Sequence, residues 1–172
     1  NVEGDINTFP NISDNDVTPS FFDNTQFSSL ELGTPETKSF RIQNIGTADL
    51  TVSNIQVIGG DAGDFSITLP SPLPIVIEDI STMTNLEVFD ITFTPSAVGV
   101  RNTTVRITND DPTGGENIFE FAISGTGFCA TAVNMLSPLT GPDNTIVTIS
   151  GTDLDGSTAV TFAGTAIAHT VI

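Results

Sequence analysis

The chain contains no tryptophan and no tyrosine, and its 172 residues include only one cysteine, one histidine and four basic residues. A single cysteine, Cys129, excludes an internal disulfide framework. Cys129 and His169 are also too few to build a four-ligand zinc site. A sandwich formed by this chain therefore lacks the tryptophan and disulfide of antibody domains, and it must depend on the packing of its 12 phenylalanines.

Positive charge is scarce, because 21 acidic residues face four basic ones and give a formal net charge of −17. Such a chain repels the phosphates of nucleic acids and an anionic membrane surface, so nucleic-acid binding is set aside. No apolar run approaches the roughly 20 residues of a membrane helix, and no membrane insertion is expected. The acidity suits an extracellular protein or one that collects cations, although a solvated acidic surface is the simpler interpretation.

The start of the chain has neither the basic region nor the apolar core of a secretion signal, so we expect any signal to have been removed before Asn1. Cys129 is expected to be a small buried or linker residue. If the polypeptide continues beyond Ile172, pairing of Cys129 with a downstream cysteine is the alternative.

Residues 89–127 carry the clearest structural signal. Apolar and polar residues alternate over 89–93, 103–108 and 119–123, which predicts three strands that each have one apolar face. Turn residues separate the three runs. The glycine-rich segment 124–127 is predicted to stop the last strand. We interpret the block as the closing meander of an antiparallel β-domain, at the edge of a sandwich.

The same block contains F-x-I-x-F-x-P, a Gly-Val-Arg turn exit, an Asn-Asp-Asp-Pro turn and a terminal G-T-G. Upstream, the segments 16–20, 40–47 and Asp64-Phe65 fit the same pattern. Over residues 5–127 the chain resembles the immunoglobulin-like choice-of-anchor D domains of bacterial surface proteins, relatives of the ASH/HYDIN-type modules. This resemblance implies an all-β, immunoglobulin-like antiparallel β-sandwich far more directly than it implies an activity. It also implies a large secreted or cell-surface protein, often exported through the type IX route.

The predicted organisation has four parts. Residues 1–20 form an extended arm with a short edge strand, and residues 21–127 form the sandwich, with seven or eight short strands and no helix of ten residues. Ser53-Asn54 marks a bulge, and the prolines of 70–74 mark a connector. Residues 128–135 are a linker to the last part. The predicted core residues are Phe40, Ile42, Phe65, Phe89, Ile91, Phe93, Phe119 and Phe121.

The last part, residues 136–172, contains S-P-x-x-G-P, then T-x-V-T-I-x-G, then a strand that ends in F-x-G. It resembles the opening half of an IPT/TIG domain, a second immunoglobulin-like β-domain. Half of such a sandwich leaves strand edges unpaired and an apolar face uncovered. We expect the polypeptide to continue and complete the fold. Donor-strand completion by a partner chain is the alternative.

A calcium site is one hypothesis for the N-terminal region. Asp14, Asp16 and Asp23, together with Asn15 and Thr18, place several oxygen ligands within ten residues, as a hard cation requires. The spacing is not that of an EF-hand. Aspartate and asparagine also make ordinary turns through hydrogen bonds from side chain to backbone, and this alternative stays open. No other cofactor is expected.

Catalysis is poorly supported by the residue inventory. A serine triad would depend on His169, and no nucleophile motif such as G-x-S-x-G is present. Carboxylates at Asp110-Asp111, Glu116 or Asp153 with Asp155 could be paired as in glycosidases, but acidic residues in turns are mostly solvated. Lys38 permits an isopeptide cross-link to an asparagine as a minor hypothesis, although at the start of a strand its side chain can also extend to water.

The sequence therefore predicts a non-enzymatic structural spacer in a large secreted or cell-surface bacterial protein, as in an adhesin-like stalk. Its partners would be neighbouring domains of a longer polypeptide, with secretion machinery or a surface glycan or protein as further candidates. A ligand-binding module for a glycan or protein, with or without calcium, is a second hypothesis. An accessory domain of a secreted enzyme is a third, and an intracellular role like that of ciliary and centrosomal ASH proteins is a fourth.

Overall fold

The computed structural model describes residues 2–4, 10–112, 117–142, 145–154, 160–162 and 165–167. The chain divides into two units, Asn1–Phe128 and Cys129–Ile172. The strands in chain order are β1 (Val2–Glu3), β2 (Asn11–Ile12), β3 (Gln26–Glu31), β4 (Glu36–Gln43), β5 (Leu50–Ile58), β6 (Phe65–Thr68), β7 (Ile75–Ile77), β8 (Leu86–Phe93), β9 (Gly99–Asn109), β10 (Ile118–Phe128), β11 (Ala132–Ser137), β12 (Thr148–Thr152), β13 (Val160–Phe162) and β14 (Thr165–Ile167).

Two five-stranded sheets make up the first unit. One sheet has the order β2-β1-β4-β8-β6, and the other has the order β3-β10-β9-β5-β7. All pairs within the sheets are antiparallel except β3 with β10. The predicted all-β, immunoglobulin-like sandwich is confirmed. A short 3-10 helix, Ala62–Asp64, joins β5 to β6.

Phenylalanine rings from both sheets meet in the space between the sheets. Phe40 on β4 lies with its ring centroid 5.8 Å from that of Phe121 on β10, and Phe27 on β3 lies 5.7 Å from Phe93 on β8. Burying each such ring contributes about 1.5–3 kcal/mol. Seven of the eight predicted core residues are buried, and Phe119 is half-buried against the same cluster. The period-two pattern thus predicted the core well.

The predicted closing meander is wrong. β8 belongs to one sheet, whereas β9 and β10 belong to the other, so the segment 94–98 crosses the sandwich. The backbone N–H of Thr94 extends the pairing of β8 with β6 by one residue, since it donates to the carbonyl of Asp64, and Pro95 follows with no N–H to donate. β9 also lies at the centre of its sheet and not at an edge.

The prediction that residues 124–127 stop the last strand is also wrong, because β10 continues to Phe128. A Cβ atom at Gly125 would lie inside the van der Waals envelope of the Phe93 ring, and one at Gly127 would meet the carbonyl oxygen of Ala97. These glycines therefore permit a close approach between elements inside a strand, and they do not turn the chain.

Two smaller predictions are confirmed. The pairing of β5 with β9 shifts register between Val52 and Asn54, where the sequence predicted a bulge. The described chain has no strand between Thr68 and Ile75, which agrees with a connector at the prolines.

The second unit contains two antiparallel pairs, β11 with β12 and β13 with β14. Apolar side chains of β11 are exposed in the described part of the chain, among them Val133 and Met135. Cys129, at the start of this unit, is exposed as well. The assignment of residues 136–172 to the IPT/TIG type stays a prediction.

Arg101 on β9 joins three segments at one end of the sandwich. Its guanidinium lies 2.7 Å from a carboxylate oxygen of Asp61 and 2.7 Å from one of Asp64. The same oxygen of Asp64 accepts the backbone N–H of Ser96 at 3.2 Å. Burial raises the pKa of Asp64, but the hydrogen bonds from Ser96 and Arg101 outweigh it and hold that pKa below its usual value.

We expect Gly125→Ala to destabilise the first unit by about 1–3 kcal/mol, because the new methyl group must displace the Phe93 ring in a packed core. Urea unfolding followed by circular dichroism measures the change. Gly63→Ala is the matched control, since a Cβ there meets nothing within 4 Å. Equal stability of the two variants would contradict the close approach of β10 to Phe93.

We expect Asp64→Asn to cost about 1–3 kcal/mol near neutral pH, because charge-assisted hydrogen bonds to Arg101 and Ser96 are lost. The folded-state pKa of Asp64 is depressed, so its contribution is complete above about pH 4 and disappears as the pH falls through the folded-state value. Urea midpoints of the wild type and the variant should thus converge on acidification.

Glu87→Gln is the control, because the carboxylate of Glu87 has no hydrogen bond or ion pair with the described residues. The urea midpoint of this variant should stay close to that of the wild type at every pH. If the Asp64→Asn deficit were as large at about pH 2 as at pH 7, the ionised carboxylate would not be its cause.

Candidate functional site

The outer edge of β10 is covered by the N-terminal part of the chain, which runs parallel to it in two stretches. In the first stretch, Asp16 pairs with Phe121. The N–H of Asn15 donates to the carbonyl of Glu120, and the N–H of Ala122 donates to the carbonyl of Asp16, both at 2.7 Å. A short strand segment therefore lies against the first half of β10.

The second stretch is β3, which pairs with β10 from Gln26 opposite Ser124 to Glu31 opposite Phe128. The N–H of Leu32 extends this pairing, since it donates to the carbonyl of Phe128 at 2.9 Å. We name the two stretches and β10 together, residues 14–32 and 118–128, the parallel clamp. Because its two sides run in the same direction, the chain enters the clamp at one end of β10 and leaves at the other.

Side chains of β4 secure the other backbone edge of β3. The Lys38 ammonium donates to the carbonyl of Gln26 at 2.7 Å, and a Glu36 carboxylate oxygen accepts the N–H of Ser28 at 2.7 Å. The ammonium also lies 5.1 Å from the centre of the Phe27 ring, within cation–π range. β4 belongs to the opposite sheet, so these contacts tie the two sheets together at this edge. The isopeptide hypothesis for Lys38 stays a prediction.

The three aspartates of the predicted calcium site each accept nearby hydrogen bonds. Asp14 accepts a backbone N–H of β10 at 2.8 Å. Asp16 accepts the N–H and hydroxyl of Thr18 at 2.8 and 2.7 Å, and Asp23 accepts the same groups of Thr25 at 3.1 and 2.6 Å. Two of the three therefore form turns of the kind that aspartate makes with the residue two positions on.

The described residues include no group of three or more aspartate, glutamate, histidine or cysteine side chains placed to hold a metal ion. Asp14, Asp16 and Asp23 are thus not brought together as one ligand set. Calcium binding stays a prediction, and the observed role of these carboxylates is to shape the segment that enters the parallel clamp.

Among the carboxylates considered for catalysis, Asp110 has a structural role. Asp110 accepts the backbone N–H of Thr51 at 2.7 Å, and hydrogen bonds from Thr51 lower the pKa of Asp110. Asp153 lies just after β12 in the second unit. His169, Glu116 and Asp155 lie outside the described residues.

Two loops meet at the end of the sandwich where β4 ends and β8 begins. We name residues 44–49 and 78–85 the loop tip. The buried side chain of Asn44 holds it together, because its carboxamide nitrogen donates to carbonyls of both loops and its oxygen accepts the N–H of Gly46 at 2.9 Å. The carbonyl acceptors belong to Ala48 at 2.8 Å, Ile77 at 3.0 Å and Glu78 at 3.1 Å.

Sequence reasoning missed both the parallel clamp and the loop tip. Alternating residues show which side chains face inward, but they do not show which strand pairs with which, or in what direction. In the sequence, Asn44 stands out only as part of the segment 40–47. Its position at the end of a strand, two residues before Gly46, is the one signal that indicated a structural asparagine.

No helix in the described ranges is long and apolar enough to cross a membrane.

Solved structures with a similar fold include the ASH/PapD-like domain 7 of human CEP192, with 18% identity, a TM-score of 0.43 and coverage of 62% of this chain and 82% of that one. A family 123 glycoside hydrolase from Clostridium perfringens is 11% identical, with a TM-score of 0.46 and coverage of 62% and 23%. The secreted serine protease VesC from Vibrio cholerae is 11% identical, with a TM-score of 0.43 and coverage of 64% and 22%.

This chain thus spans less than a quarter of the length of either of the two enzymes. No curated protein matches it. Residues 19–123, more than half of the chain, match the family model described as HYDIN/CFA65/VesB-like, Ig-like domain. The chain therefore belongs to the HYDIN/CFA65/VesB-like family of immunoglobulin-like domains.

Proposed function

We propose that this chain is a non-enzymatic structural spacer of a larger secreted or cell-surface bacterial protein, and that it transmits tension between its neighbouring domains. Choice-of-anchor D and IPT/TIG are the proposed types of its two units. The observation that carries the mechanical part is the direction of the parallel clamp, in which the chain enters at one end of β10 and leaves at the other.

Tension between the two sides of the clamp acts along the strands. The backbone hydrogen bonds between residues 14–32 and β10 are then loaded in shear, so several of them must fail together before the strands slide. If both ends were at the same end of the clamp, the bonds would open one after another. The parallel arrangement of the two sides of the clamp thus resists a pull that would open a hairpin of equal thermodynamic stability.

The contacts around β3 add to this resistance. Lys38 and Glu36 hold its outer edge from the opposite sheet, and the ring of Phe27 packs against those of Phe65 and Phe93. Sliding β3 along β10 would break the two polar contacts and drag a buried ring out of the core, where truncation of a phenylalanine typically costs about 3–5 kcal/mol. The side-chain contacts and the clamp therefore oppose the same motion.

The extracellular location is part of the proposal and is supported by the acidity of the chain. Partners in this proposal are the neighbouring domains and the secretion machinery. A membrane-impermeant maleimide tests the location in cells that produce the protein, because Cys129 is exposed. Labelling of intact cells is expected, and labelling only after lysis would exclude a surface location. The ligand-binding and enzyme-accessory hypotheses stay predictions.

Single-molecule pulling tests the mechanical role, with Cys129 as one attachment point and an introduced cysteine as the other. Attachment at Ser13→Cys loads the clamp in shear. Attachment at Glu31→Cys peels β3 away from β10, beginning at the end where Glu31 lies opposite Phe128. Both positions are exposed. We expect a clearly higher unfolding force for the attachment at residue 13.

Thermal unfolding without load is the control, because both substitutions lie on the surface and should leave the midpoint unchanged. Equal forces in the two geometries would overturn the tension-bearing role, even if the domain proved stable.

A further inference from the structure

We propose that the loop tip is a binding surface for a protein segment that presents apolar side chains flanked by lysine or arginine. This inference goes beyond the spacer role and does not depend on it. It rests on three observations about residues 44–49 and 78–85: their exposed apolar side chains, their fixed geometry and their uniform negative charge.

Three large apolar side chains are exposed at the loop tip. Ile45 is 61% exposed, Ile80 is 52% exposed and Met83 is 99% exposed. The first two lie on different loops, and the loops are joined next to Ile45, since the N–H of Ile80 donates to the carbonyl of Gly46 at 3.0 Å. A single exposed apolar residue is ordinary, whereas a group on joined loops matches the apolar centre of a protein interface. Methionine in particular adapts its shape to different partners.

The geometry of the loop tip is fixed before any partner binds. Asn44 donates to carbonyls of both loops from a buried position. The side chain of Asn85 donates to the carbonyl of Asn44, and the N–H of Asp79 donates to a carboxylate oxygen of Asp49 at 3.2 Å. Loops that are already ordered lose little conformational entropy on binding, which favours affinity.

The charge around the apolar group is entirely negative. Asp49, Glu78 and Asp79 belong to the loop tip itself, and Glu87 follows it on β8. Hydrogen bonds from Ser81 lower the pKa of Asp79, so this carboxylate is ionised at neutral pH. An apolar centre with an acidic rim is complementary to apolar residues flanked by basic ones.

The basic residues of the chain do not neutralise this rim, because none of them belongs to the loop tip and all four are already engaged. Arg41 pairs with Glu3, Arg106 pairs with Glu120, Arg101 pairs with aspartates at the opposite end, and Lys38 binds the Gln26 carbonyl. A second copy of this chain, with a formal charge of −17, would be repelled from the same surface. The charge therefore favours a cationic partner over self-association.

The test uses a synthetic peptide of alternating leucine and lysine, about ten residues long, titrated into the ¹⁵N-labelled full chain near physiological salt. We expect the amide shifts to concentrate at residues 44–49 and 78–85. The double variant Ile45→Ser, Ile80→Ser should weaken binding by about tenfold or more, as the loss of a central apolar contact does at interfaces.

The matched control is Val98→Ser, Val100→Ser. These valines are exposed to a similar degree, 60% and 63%, but they lie just before Arg101, at the other end of the sandwich. Binding by this variant should stay within about twofold of the wild type. A peptide with glutamate in place of lysine should not bind, as charge complementarity requires.

Four results would overturn the proposal: no binding, shifts spread over the acidic surface, equal losses in the two double variants, or a concentration-dependent dimer whose interface is the loop tip. The substitutions are on exposed side chains, so all variants should keep the wild-type unfolding midpoint, and that measurement separates lost binding from lost folding.

Discussion

The contact between phenylalanine rings of the two sheets is the interaction on which the rest of this fold depends. The first unit contains no cysteine, so no disulfide cross-links its two sheets. Phe40 with Phe121, and Phe27 with Phe65 and Phe93, bridge the gap instead. The rings need space that only the absence of a side chain provides at Gly125, so a glycine inside β10 is part of the same packing.

Scarcity of positive charge is the second constraint. Each basic side chain joins two different elements of the fold, as Arg101 does for the 3-10 helix and β9, and as Lys38 does for β4 and β3. A buried or half-buried ion pair contributes little net stability but fixes which segments lie together. Because the four cations are used in this way, most of the carboxylates among the described residues have no ion pair, and the chain keeps its strong negative charge.

The sequence predicted the core because alternation depends only on local geometry, and Phe89, Ile91 and Phe93 were placed correctly for that reason. It did not predict that β8 and β9 lie in different sheets, because consecutive strands show the same alternation whether they share a sheet or lie in opposite sheets. Gly125 was wrongly predicted to end the strand, because the sequence alone does not distinguish a glycine in a turn from a glycine that makes room for an aromatic ring. The calcium prediction stays open. It was based on the proximity of three aspartates in the sequence, whereas in the fold two of them form separate turns.

The proposed tension-bearing role and the proposed binding surface use different parts of the sandwich, the parallel clamp and the loop tip. The clamp uses backbone groups along the edge of β10, whose amides and carbonyls would otherwise be an open template for pairing with another chain. The loop tip uses side chains on loops that follow β4 and β7, which are neither of the clamped strands. Tension along the clamp therefore need not pass through residues 44–49 or 78–85. A domain arranged in this way can hold its place in a chain under load while one end stays free to bind.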